Sequence, residues 1–241
     1  MNLSDPQTFY RTAGKVIPWL MGAALLLFAV GFYMAFFVCP IDARQGNSYR
    51  ILFIHVSAAW LSMTLYVLMA VCSLVGLIRN SRISFMLAQA MAPTGALMAF
   101  LTLFCGAFWG RPTWGAYWVW DARLTSELIL FFLYLGFIAL HNAIDDKARA
   151  DRAASVISIV GVINVPIIYF SVRWWNTLHQ GASISVKGAS LAPIMLYTLL
   201  VMLCAGTCYG AGAVLARMRS IILERDRREE WALRAALEGK L

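Results

Sequence analysis

Residues Trp109 to Thr125 read WGRPTWGAYWVWDARLT and hold four of the chain's nine tryptophans. Two long apolar runs flank this stretch, one ending near Phe108 and the other resuming at Leu128. Connections between helices normally carry small polar turn residues. Tryptophan suits the membrane–water interface, where its apolar ring and its N–H sit at headgroup level, and this accounts for one or two per interface. It does not account for four in twelve residues, interleaved with Gly110, Pro112 and Gly115 and closed by Asp121 and Arg123. The expectation is a loop between two membrane spans that forms a flat, water-facing aromatic platform. Its natural ligand is large, planar and partly apolar.

The composition around it agrees with a membrane setting. Of 241 residues, 61% are hydrophobic and 13% charged, and the mean hydropathy is +0.71. An ordinary soluble domain has roughly a quarter of its residues charged. The chain therefore reads as one all-α integral membrane domain over residues 1–241. Its net charge of +8 would suggest nucleic acid in a soluble chain. Here the cations sit in short connections and the tail, where they orient spans, and no nucleic-acid motif is present. No P-loop pattern appears, so ATP use belongs to a partner. Cys39, Cys72, Cys105, Cys204 and Cys208 form no C-x-x-C and no C-x-x-C-H, which removes thiol-redox and c-type haem attachment signatures.

A span needs about 20 mostly apolar residues. Six stretches qualify: Val16–Val38, Ile51–Ile78, Met86–Phe108, Thr125–Leu140, Ala154–Phe170 and Pro193–Ala216. The first is too long for the apolar core of a cleaved leader and reads as a retained span. Pro93 and Pro166 fall inside spans and are candidates for kinks. Gly206 and Gly210 form a G-x-x-x-G, a pattern that mostly reports helix packing. Six spans put both termini on one side. With the N-terminus inside, inner segments hold fourteen Lys and Arg and outer loops six; without the tail from Arg217 the contrast is seven to six. The positive-inside rule then makes both termini cytoplasmic. Loops 39–50, 109–124 and 171–192 face outward. The tail, 217–241, reads as a short helix touching the inner leaflet or a cytoplasmic partner, or as a solvated end.

Topology sorts the three histidines. His55, near the start of the second span, and His179, in the third outer loop, share a side with the tryptophans. His141 closes the fourth span at the other face and reads as a capping or interfacial residue. Two histidines are too few for a zinc site. They are enough as an axial pair for haem iron, whose porphyrin supplies four ligands. Propionates need cations, and Arg50, Arg111, Arg123 and Arg173 are all on that face. Asp121 reads first as the cap of the following helix. Glu127, an acid entering a span, is a functional candidate that could face the bundle interior. No paired carboxylates and no Ser–His–Asp or Cys–His arrangement suggest an enzyme.

Trp109-Gly110-Arg111-Pro112-Thr113-Trp114-Gly115, followed by Trp118-Val119-Trp120-Asp121-Ala122-Arg123-Leu124-Thr125, closely resembles the WWD signature of haem-handling membrane proteins in cytochrome c biogenesis. With six spans and one outer histidine on either side of the motif, the chain resembles the CcmC family of bacterial cytochrome c maturation over all but its tail. The resemblance implies that Trp109, Trp114, Trp118, Trp120 and Asp121 contact b-type, non-covalent haem on the periplasmic side of the inner membrane. It implies His55 and His179 as iron ligands, with Arg123, Arg50 and Arg173 as cofactor-binding cations. It implies delivery to the haem chaperone CcmE, in association with CcmD, the ATP-binding subunit CcmA and the membrane subunit CcmB. The competing readings are a membrane haem lyase acting directly on apocytochrome and a permease subunit of an ABC-type exporter.

Overall fold

The computed structural model describes residues 5–175, 177–179, 184–185 and 188–237. Lys187 and Lys240, counted above for orientation, lie outside them. The described chain is helical apart from one short antiparallel pair. Six helical stretches are long and apolar enough to cross a membrane.

Helix α1 spans Pro6–Tyr33. The Asp5 carboxylate accepts the Thr8 N–H at 2.8 Å and caps it, with Pro6 in the first turn, where a missing N–H costs nothing. A π-helical turn, Met34–Val38, carries it on to Cys39. Helix α2 is Ile51–Arg79 and ends on Asn80 in the left-handed region. Helix α3 is Arg82–Trp114, capped by Ser81. It passes Pro93 without ending.

Helix α4, Ala122–Ala143, starts on Asp121, as expected for a capping acid, and runs longer at both ends than the apolar stretch. The fifth span extends from Lys147 to Trp174 and is broken into α5, Lys147–Gly161, and α6, Asn164–Trp174. Pro166 is the cause at hand. It has no N–H for the Val162 carbonyl, which accepts from Val165 at 3.0 Å in a tighter turn. The Asn164 amide donates to the Ser126 carbonyl at 2.8 Å and pins the break to α4. Strand β1, Ile184–Ser185, pairs with β2, Gly188–Ala189. Helix α7 is Pro193–Arg225 and α8 is Glu230–Leu237.

Helix α2 lies along α3, and α1 along α7. Between α2 and α4 the fully buried rings of Tyr66 and Tyr134 meet edge to face at 4.9 Å. The Tyr134 hydroxyl donates to the Ser62 carbonyl at 2.7 Å. Gly95 and Gly161 face the two tyrosine tips and leave room that a Cβ would take. Gly210 gives the same clearance to Leu61, where a Cβ would stand 2.9 Å from Cδ1; its G-x-x-x-G companion Gly206 meets no more than Ser57 at 3.9 Å. Large apolar residues such as Leu25, Phe37 and Ile78 point outward, as lipid-facing positions do in a membrane bundle.

The first and last described helices meet at one end. Trp231 of α8 packs on Tyr10 of α1 at 5.9 Å, and Arg219 of α7 lies over the same Tyr10 ring at 4.2 Å. The tail helix thus docks on its own bundle. His141 is buried there and bonds Asp151 at 3.0 Å, and Arg225 clasps both Asp151 oxygens at 2.6 and 2.7 Å while reaching Gln89 at 2.7 Å. His141 therefore ties α4 to α5 and α7. Removing one member of a buried ionic cluster strands the others. Asp151→Ala is expected to destabilise the bundle by about 3–5 kcal/mol, read as a lower thermal midpoint in detergent; an unchanged midpoint would show that the cluster does not hold this end.

Candidate functional site

The opposite end of the bundle collects the tryptophans and the other two histidines. Helix α3 does not stop at Phe108. It takes in Trp109 through Trp114, so the connection expected over 109–124 shrinks to residues 115–121. Pro112 lies in its last turns. Gly115, at φ +81°, closes it in the left-handed conformation with its N–H on the Arg111 carbonyl at 3.1 Å.

Trp109 and Trp114 lie on α3 and Trp118 and Trp120 on the connection after it, and the four indoles do not make a flat platform. Trp109 is buried, Trp114 and Trp118 are half-buried, and Trp120 is 76% exposed. Trp109, Trp114 and Trp118 line a cavity between α2, α3 and the start of α4, and His55, His179 and Arg123 line it with them. Trp120 stands outside, edge-on to Trp118 at 5.3 Å. Arg50 and Arg173 are also outside. Arg50 donates to the carbonyls of Ala35 and Cys39, which the π-helical end of α1 leaves without helical partners. Arg173 is exposed and lies over the rings of Tyr169 and Phe170.

His55 is buried in the second turn of α2. Its Nδ1 is 3.0 Å from the Thr102 carbonyl. A carbonyl only accepts, so Nδ1 carries the proton and Nε2 keeps a lone pair. Metal-binding histidines are commonly oriented this way, with the second N–H held by a carbonyl or carboxylate. Gly106 makes room on α3, since a Cβ there would stand 3.1 Å from His55 Cε1. The Trp109 ring packs edge-on against His55 at 5.7 Å. Its own N–H donates to Gln45 Oε1 at 2.7 Å. Gln45 belongs to a turn built by Asp42, whose carboxylate accepts the N–H groups of Arg44 and Gln45, both at 2.8 Å. Those two donors hold the Asp42 carboxyl below its ordinary pKa.

His179 lies beyond the end of α6, with its ring centre 6.0 Å from that of His55 and 6.3 Å from that of Trp114. Arg123 donates to the Ile168 carbonyl at 3.0 Å. Glu127 is buried and lines the same cavity, as an acid facing the interior; its carboxylate accepts from Ser62 on α2 at 3.3 Å. The indole N–H of Trp118 is buried and meets no acceptor among the described residues. The cavity encloses about 50 Å³.

Sequence reasoning left Gln45 without a role and did not single out Thr102. Gln45 acts through a partner 64 positions away, and the Thr102 atom that matters is a backbone oxygen, which no side-chain pattern marks. Among the described residues no group of three or more His, Cys, Asp or Glu could hold a metal.

The model of the CcmC family, "Heme exporter protein C", matches residues 1–233. The chain is similar to Heme exporter protein C of Escherichia coli strain K12, 44% identical over 229 residues, covering 95% of this chain and 93% of the relative. It is 48% identical over 226 residues to Heme exporter protein C of Bradyrhizobium diazoefficiens, covering 93% and 86%. A putative cytochrome c biosynthesis ccmC-like mitochondrial protein of Marchantia polymorpha is 44% identical over 183 residues, covering 76% and 78%.

The bond from Trp109 to Gln45 gives a direct test of how the indole is held. Gln45→Leu leaves a largely buried N–H without its acceptor and is expected to cost about 1–3 kcal/mol. Gln45→Glu, which keeps an acceptor oxygen, is expected to restore most of the lost thermal midpoint. Equal midpoints for Gln45→Leu and wild type would mean that the loop does not position Trp109.

Proposed function

The chain belongs to the CcmC family of heme exporter proteins, and from that premise we propose that it holds haem between His55 and His179 for cytochrome c biogenesis. In this reading the tryptophan end lies at the periplasmic face of a bacterial inner membrane and the termini lie in the cytoplasm. The recipient is the haem chaperone CcmE, and CcmD, the ATP-binding CcmA and the membrane subunit CcmB are the associated subunits.

The observation that carries the proposal is the spacing of the two imidazoles. Metal–nitrogen bonds of about 2 Å on each side, plus about 1 Å from each nitrogen to its ring centre, predict centres about 6 Å apart across a shared metal ion. The rings stand at 6.0 Å. The proton on His55 Nδ1 leaves Nε2 as the ligating atom. With His55 and His179 as its two protein ligands, haem iron would be held rather than left open for oxygen chemistry.

The other groups fit the same cargo. Trp109, Trp114 and Trp118 supply apolar ring surface. The Trp118 N–H and the remaining N–H groups of Arg123 are donors for carboxylates, and Arg123 presents several in a fixed fork. Trp120, Arg50 and Arg173 share this end of the bundle and meet haem only where it extends past the cavity. Asp121 enters through the caps it makes. The cavity itself, at about 50 Å³, has room for a few waters, whereas a pocket for a drug-sized ligand runs to about 300–1,000 Å³. Haem entry therefore requires the His179 segment and the indoles to part and then to close again with the imidazoles at their present spacing. Helix α2 is fixed in the bundle, so the His179 side is the one that gives way.

Detergent-purified protein from cells supplied with haem is expected to show a six-coordinate, low-spin visible spectrum. His55→Ala and His179→Ala are each expected to abolish the low-spin bands, and His141→Gln, at the opposite end, to leave them intact. A haem-free protein, even when co-produced with the chaperone, would overturn the proposal, as would low-spin bands that survive both alanine variants.

A further inference from the structure

Asp121 forms hydrogen bonds in two directions. Its Oδ1 accepts the Leu124 N–H at 2.8 Å and caps α4. Its Oδ2 accepts the hydroxyl proton of Thr177, 56 positions on. The Thr177 oxygen in turn accepts the backbone N–H of His179 at 3.1 Å. A continuous chain of hydrogen bonds thus runs from the first turn of α4, through one hydroxyl, to the backbone of the histidine that completes the pair. Helix α6 has ended at Trp174, so no helical ladder sets the position of His179. Thr177 is half-buried, and Leu178 between it and His179 is exposed.

We propose that Thr177 is a positioning residue that latches His179 opposite His55, and that Asp121 is the anchor of this latch. The inference rests on the reading of haem held between the two histidines, and it adds how one side of that site is fixed and released. The Thr177 hydroxyl donates its one proton to the carboxylate and offers a lone pair to the amide. Loss of that hydroxyl breaks both links at once, while the α4 cap on the other oxygen remains. The same carboxylate joins the α4 cap to the latch, so displacement of the 115–121 connection is transmitted to His179. Arg123, two residues past Asp121 and lining the cavity, moves with the same turn.

Thr177→Val keeps the branched shape and removes the hydroxyl; Thr177→Ser keeps the hydroxyl. Two measurements on the full-length protein in detergent separate the latch from the haem reading. The first is amide hydrogen exchange over residues 177–179 in haem-free protein, which needs no ligand. Thr177→Val is expected to exchange there at least about tenfold faster, and Thr177→Ser at close to the wild-type rate. The second is the rate of haem loss to excess apomyoglobin. Thr177→Val is expected to release haem about tenfold to a hundredfold faster, the factor that one hydrogen bond to a charged group is worth, with the low-spin bands still present before release.

Unchanged exchange in Thr177→Val would overturn the latch, whatever the haem result. Faster exchange with unchanged release would overturn its role in holding haem. If His55→Ala and His179→Ala leave the haem spectrum untouched, the haem reading fails, and the exchange measurement still decides whether Thr177 holds the segment. A thermal midpoint for Thr177→Val within a few degrees of wild type is expected and guards against general unfolding as the cause.

Discussion

The hydrogen bond from His55 Nδ1 to the Thr102 carbonyl, at 3.0 Å where α2 crosses α3, governs the tryptophan end of this bundle. Inside an apolar bundle an N–H without a partner is costly, so the contact fixes the tautomer as well as the ring plane. It can form because α3 presents Gly106 there, with no side chain to keep the imidazole away. Once the ring is set, its neighbours are arranged around it. Trp109 stands edge-on, held by Gln45, and His179 faces it across 6.0 Å. The support runs outward from a helix crossing to a loop, and the order of rigidity follows. His55 is buried on a helix, whereas His179 lies beyond a helix end, where its N–H bonds the Thr177 hydroxyl oxygen.

Helix α4 links the two ends of the molecule. At its start Asp121 caps the helix and reaches Thr177; at its finish His141 reaches Asp151 and through it Arg225. Both attachments pair an ionisable side chain with partners distant or local in the chain, Asp151 and Arg225 on other helices for His141 and Thr177 beyond the end of α6 for Asp121. They serve different purposes. The His141 cluster is closed on itself, with each charge compensated. The cavity end keeps a buried donor on Trp118 that meets no acceptor among the described residues.

Several features of this site were not legible in the residues. The stretch from Trp109 to Thr125 reads as a platform because tryptophan and glycine alternate in a connection. The chain instead continues as helix through Trp114, since the apolar turn before it propagates and Gly115 is the first residue to stop it. Helical geometry then turns Trp109 and Trp114 into the cavity, while the 115–121 connection brings in Trp118 and leaves Trp120 outside. Arg50 reads as a cation for an acidic ligand, yet the π-helical turn at 34–38 exposes carbonyls that it satisfies. Nothing in a hydropathy pattern announces a π-helical turn. Pro166 marked a disturbance in the fifth span; whether it would bend or break the helix depended on the tie from Asn164 to α4.

The sequence by itself determined the number of spans, the shared end of the two termini and the grouping of His55 and His179 with the tryptophans. Those follow from the length of apolar run that a bilayer demands and from counting crossings, which need no knowledge of how helices touch. The tertiary structure alone decided which indoles face His55, that Gln45 holds Trp109, that Asp121 reaches Thr177, and that the two imidazole centres stand 6.0 Å apart. These depend on side-chain directions where separate helices and loops meet. Residues 56 to 64 positions apart share no local period, so only packing brings them together.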